Sequence, residues 1–147
     1  MELHDQKVYT PKSIVTLAAA IDQDADAFQW LLDNDQKELA ALVDVLVAGK
    51  EDALEWLRAN GYKNIALFVD ALDEVDGAVQ LMMDNNGKAW AATAQSFNGN
   101  DSADEFLQAY FPHYFTLVKV LIHRYNGIAS ALGGFTGGSR RVNRLNF

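Results

Sequence analysis

Residues 26–34 read Asp26-Ala27-Phe28-Gln29-Trp30-Leu31-Leu32-Asp33-Asn34, and residues 52–60 read Asp52-Ala53-Leu54-Glu55-Trp56-Leu57-Arg58-Ala59-Asn60. The pattern returns more faintly at residues 77–85, and again as Ser102-Ala103-Asp104-Glu105-Phe106-Leu107, so the copies begin 26, 25 and 25 residues apart. A second stretch follows each copy. Lys37-Glu38-Leu39-Ala40-Ala41-Leu42-Val43-Asp44 is matched by Lys63-Asn64-Ile65-Ala66-Leu67-Phe68-Val69-Asp70, by residues 88–94 and, in aromatic form, by residues 113–118. Residues 12–19 are a first copy of that second stretch. A fixed period of this size is the mark of stacked supersecondary units.

Each half-unit has helical spacing. Trp30, Leu31, Leu39, Leu42, Val43 and Leu46 return as Trp56, Leu57, Ile65, Phe68, Val69 and Leu72. Within the stretches the apolar positions fall three, four and seven apart, which turns one side of a helix inward. Ala27, Ala53, Ala78 and Ala103 keep one position small, permitting close helix approach. In the first half, Asp26, Asp52 and Ser102 are expected to cap the helix. Gln29, Glu55 and Glu105 stand three residues later, as in a capping box. Asn34, Asn60 and Asn85 suit a left-handed turn after a helix. Thr10, Asp35 and Asn86, with Gly61 in the same phase, are expected to cap the second half. Pro11 and Pro112 then fall at the first helical position, where the missing N–H costs nothing.

The period is too short for tetratricopeptide or ankyrin units, and Gln29 and Glu55 break the Leu-x-Leu strand that a leucine-rich repeat needs. The sequence therefore predicts an all-α fold of short helical-hairpin repeats, period 25–26, stacked as a small α-solenoid-like array. Its expected helical domain covers residues 1–131, with a half-repeat at 10–22 and repeats at 26–48, 52–73, 77–98 and 102–125. Residues 132–147 are expected to form a glycine-rich basic tail.

Composition narrows the function. The 147 residues are half hydrophobic and 22% charged, an ordinary globular balance for one domain. The absence of cysteine removes disulfides, thiolate metal sites and thiol nucleophiles. No apolar run has the length of a membrane span and the start lacks a signal core, so a cytoplasmic protein is expected, with no membrane partner. The net charge of −8 argues against nucleic acid. That charge is uneven. Residues 1–112 hold all 20 acids and a net −13, whereas residues 113–147 hold five basic residues and no acid.

No cofactor or metal is expected. Residues 22–26 hint at a calcium loop, but Ala27 stands where the loop needs glycine, and Phe28 and Trp30 follow. His113 and His123 are ten residues apart, off a common helix side. Neither a Gly-x-Ser-x-Gly elbow nor a phosphate-binding glycine loop is present.

Three groups are candidates for contact with a partner. Asp22, Asp24, Asp73, Glu74 and Asp76 belong to loops at one phase of the repeat. There, with Asp26, Glu51, Asp52, Asp101, Asp104 and Glu105, they are expected to line an acidic edge suited to a basic protein. First-turn acids also simply favour helix N-termini. Tyr110, Phe111, Tyr114 and Tyr125 could anchor a groove or a dimer surface in the aromatic last repeat, although a terminal repeat closing the core explains them too. Arg140, Arg141 and Arg144 could dock on the acidic body or on another protein, although a glycine-rich terminus is by default disordered and idle. Trp30, Trp56 and Trp90 are expected in the core. The functional expectation is a non-enzymatic protein-interaction or scaffold module. The competing one is a ligand-binding or catalytic helical domain with a pocket near the last repeat.

Overall fold

The computed structural model describes residues 8–132 and residue 147. Among the described residues the protein is all-helical, without a strand. In chain order the helices are α1 (Pro11–Ile21), α2 (Ala25–Asp33), α3 (Lys37–Ala48), α4 (Glu51–Ala59), α5 (Lys63–Leu72), α6 (Ala78–Asp84), α7 (Lys88–Phe97), α8 (Asp101–Tyr110) and α9 (Pro112–Leu132). The last of these runs on beyond residue 125 to Leu132.

The helix starts have local causes, though some differ from those expected. Thr10 Oγ1 accepts the Ser13 N–H, and Pro11 takes the first turn of α1. The cap of α2 is Asp24 rather than Asp26: its Oδ1 accepts from the amides of Asp26 and Ala27 at 3.0 and 3.1 Å. Likewise Asn100, not Ser102, caps α8, accepting from Ser102 and Ala103. Lys50 occupies the cap of α4 without a side-chain bond, and Asp52 reaches only the Ala53 amide. No capping box closes at Gln29, whose amide donates forward to Asp33 Oδ1 at 2.9 Å. Glu55 instead pairs with Arg58 at 3.0 Å.

The turns are also displaced by one residue from the expectation. Asn34, Asn60 and Asn85 have φ of −109°, −107° and −102°. The left-handed residue is the next one, Asp35, Gly61 or Asn86. These three were expected as caps of the following helix, a place held instead by Gln36, Tyr62 and Gly87. Asn34 and Asn60 contribute differently, their side-chain amides donating to the carbonyls of Trp30 and Trp56. On the other side of each pair, left-handed residues stand at Gln23, Gly49, Glu74 and Gly99.

Packing divides the helices into two sets. The odd-numbered helices form a closed circuit, α1 on α3, α3 on α5, α5 on α7, α7 on α9, and α9 back on α1. Each even-numbered helix bridges the two odd-numbered helices that flank it in sequence. In an open stack only sequence neighbours touch, so the contact of α1 with α9 sets this arrangement apart from one.

The interior follows from that division. Leu31, Leu57, Met82 and Leu107, one from each even-numbered helix, are wholly buried. Full burial of such a side chain stabilises by roughly 1.5–3 kcal/mol. Trp90 on α7 fills the middle, with Phe68, Tyr114 and Tyr9 ring centres at 5.0, 5.4 and 6.0 Å. The run of alanines around it, Ala89, Ala91, Ala92 and Ala94, lets four neighbouring helices approach α7.

Of the three tryptophans expected in the core, only Trp90 is wholly enclosed. Trp56 is 38% exposed and Trp30 half-buried. The cause is helical geometry. The leucine after each indole points inward, and successive side chains lie about 100° apart around the axis.

Candidate functional site

The even-numbered helices, which lie outside the circuit of odd-numbered ones, present large apolar side chains just before their buried anchors. Trp30, Trp56, Leu81 and Phe106 each precede one of the buried anchors Leu31, Leu57, Met82 and Leu107. Trp56 stacks on Tyr62 with ring centres 5.7 Å apart, and Leu81 is 44% exposed. Lysines lie over the other two rings, Lys12 over Trp30 at 5.2 Å and Lys88 over Phe106 at 4.7 Å.

The acidic candidates occupy the turns from an odd-numbered to an even-numbered helix. Asp22 ends α1 and Asp24 caps α2. Asp73 ends α5, Glu74 is left-handed at φ 58°, and Asp76 follows shortly before α6. The structure brings Asp73 into electrostatic reach of Tyr125, a candidate from a different group. Burial, and then the neighbouring Asp70 carboxylate, push the Asp73 carboxyl above its ordinary range. Burial and then Asp73 raise the Tyr125 phenol, with Arg124 opposing. That phenol donates to the Leu46 carbonyl at 3.1 Å, tying α9 to the end of α3. Arg58 lies 3.5 Å from Asp70 and extends the charged corner outward.

The aromatic candidates separate. Tyr114 is not a surface residue. It is wholly buried, and its hydroxyl accepts the Tyr9 N–H at 3.1 Å. Burial raises its phenol far above the ordinary value. Tyr125 and Phe111 are half-buried, and Tyr110 is 69% exposed. Tyr110 and Phe111 both meet Phe106, at 5.3 and 5.7 Å. Arg140, Arg141 and Arg144 lie outside the described residues.

Two polar groupings were not anticipated from sequence. Tyr9 bonds in three directions. Its hydroxyl donates to the buried Glu38 at 2.7 Å, its N–H goes to Tyr114, and its carbonyl lies 3.2 Å from His113 Nε2. Because a carbonyl only accepts, Nε2 carries the proton in that contact. The second grouping is on α8, where Ser102 Oγ accepts the backbone N–H of Phe147 at 2.7 Å and the Phe147 ring lies 5.9 Å from Phe106. The available signal was the placing of Ser102 and Phe106 one helical turn apart, on one side of α8.

Among the described residues, no group of three or more histidine, aspartate and glutamate side chains is placed to hold a metal ion. No helix among them is long and apolar enough to cross a membrane. Compared with models of protein families, with curated proteins and with solved structures, the chain shows no match.

Proposed function

We propose that this protein is a non-enzymatic interaction module built from helical-hairpin repeats, and that it binds another protein. The observation that carries the reading is the register shared by Trp30, Trp56, Leu81 and Phe106. Large apolar side chains left half-open at matching positions are an expense in water unless something covers them. Indoles and phenyl rings are the side chains that anchor interfaces.

The repeat itself is supported by the left-handed turn residues. Gln23, Gly49, Glu74 and Gly99 are separated by 26, 25 and 25 positions, the spacing of the sequence pattern. On this reading the units share one backbone plan, and corresponding side chains fall in rows.

The acids at the odd-to-even turns, Asp22, Asp24, Asp73, Glu74 and Asp76 among them, suit a basic partner. They would steer its approach while the apolar row holds it. Tyr114 and Tyr125 of the aromatic last repeat are engaged with Tyr9 and Leu46, which leaves a pocket near that repeat less support.

The test is capture from cell lysate with the full chain, with a Trp56→Ser/Leu81→Ser variant and with an Asp73→Asn/Glu74→Gln/Asp76→Asn variant. The expected result is a specific protein retained by the native chain and lost on the apolar variant. The acidic variant should weaken that capture mainly at low salt, because exposed charges are screened within about 8–10 Å at physiological ionic strength. Retention of the same proteins by all three chains would overturn the reading.

A further inference from the structure

Phe106 is the most crowded member of the outer row. It meets Tyr110 and Phe111 from its own end of the fold, Lys88 from α7, and Phe147 from 41 residues further along the chain. Phe147 makes two distinct contacts there. Its ring lies against Phe106, and its backbone N–H is held by Ser102 Oγ. The cap of α8 is made by Asn100, and the Ser102 hydroxyl has lone pairs with which to accept. The patch thus combines an aromatic platform, an oxygen acceptor one turn away and a neighbouring ammonium group. That set suits an aromatic side chain delivered together with its own backbone N–H.

We infer that this side of α8 is a receptor for an aromatic residue, and that Phe147 of the same chain is its resident ligand. Trp56 and Leu81, the corresponding side chains of α4 and α6, are the open members of the row. Phe106 is covered, and its cover is Phe147 of this protein. Because Phe147 belongs to the same chain as the platform, its docking is intramolecular and has the advantage over a separate molecule. A partner bringing its own aromatic residue to α8 must displace it. The arrangement therefore sets a threshold on binding at one end of the row and none at Trp56 or Leu81. The inference extends the interaction reading without needing it, since self-docking involves no second protein.

The test uses the full-length chain, its Phe147→Ala variant, and a fluorescent peptide of residues 139–147, read by anisotropy. The peptide should bind the Phe147→Ala chain roughly tenfold or more tightly than the native chain, where the site is filled. A peptide carrying alanine in place of Phe147 should bind neither. Adding Ser102→Ala to the Phe147→Ala chain should weaken peptide binding several-fold, with circular dichroism confirming an intact helical fold. Adding Phe106→Ala should abolish it. Equal binding to native and Phe147→Ala chains, or binding to neither, would overturn the assignment. A native dimer that Phe147→Ala converts to monomer would place the ligand on a second copy, and would equally overturn docking within one chain.

Discussion

The backbone N–H of Tyr9 donates to the Tyr114 hydroxyl at 3.1 Å, joining residues 105 positions apart. The bond spans the seam where α1 meets α9. Phenylalanine at position 114 would keep the ring and remove the acceptor. Loss of one intramolecular hydrogen bond costs about 0.5–1.5 kcal/mol. Tyr114→Phe should therefore lower the unfolding free energy by that amount in urea titration, with helical content unchanged at zero denaturant. A neutral result would show that the seam is held by apolar contact alone.

Alkali should act on the same residue. Burial raises the Tyr114 phenol above its ordinary value, with the bond from Tyr9 opposing. The unfolded phenol titrates near pH 10. A group whose folded pKa lies above its unfolded one contributes stability that is complete below the unfolded value and lost as pH rises beyond it. Stability should thus fall above about pH 10, and Tyr114→Phe should flatten that fall. Tyr125, raised in the same direction, should leave a residual slope. An unchanged alkaline limb in the variant would mean that the Tyr114 phenol ionises as it does in water.

Gly87 is pinned by its neighbour rather than by its backbone. Its φ is −101°, open to any residue, yet a methyl group there would stand 2.8 Å from Asn64 Cγ. Asn64 is wholly buried, and its amide donates to the Asn85 carbonyl at 3.1 Å, so it has little room to retreat. Gly87→Ala should cost about 1–3 kcal/mol by overpacking. Asn64→Ala made in the same chain should recover part of that loss, and a double-mutant cycle in urea measures the coupling.

The tryptophans should respond unequally. Trp90→Ala removes the ring on which Tyr9, Phe68 and Tyr114 converge, and should cost about 3–5 kcal/mol. Trp56→Ala removes a half-open ring stacked on Tyr62, and should cost about 1 kcal/mol, the order of an exposed aromatic pair. Thermal melts of the two variants decide the matter. Comparable losses would place Trp56 in the core after all.

The helices and their order were legible because they are local. Apolar spacing, two prolines and the recurrence of residues 26–34 at 52–60 each act within a few residues of the backbone they shape. The caps were harder to place, since Asp24 and Asp26, like Asn100 and Ser102, are both competent acceptors two residues apart. Only the turn geometry selects the first of each pair. Periodicity marked Trp30 and Trp56 as facing inward with Leu31 and Leu57, but neighbours on a helix diverge by about 100° and the leucines took the interior. The acids of the turns were read as such from their phase. The meetings of Tyr9 with Tyr114, Asp73 with Tyr125, and Phe147 with Ser102 were not, because each depends on how distant segments come together and no local pattern encodes it.

The contact between α1 and α9 also bears on how this protein could change in evolution. A linear array lengthens or shortens by one unit with little disturbance, since each unit answers only to its neighbours. Here another helical pair would have to be wedged into a finished circle, prying α1 from α9 and separating Tyr9 from Tyr114. Loss of a pair would demand that the remaining helices bend further to meet. The circuit of odd-numbered helices is therefore held by geometry, and variation is channelled into side chains on the even-numbered helices, where substitution leaves the circle intact.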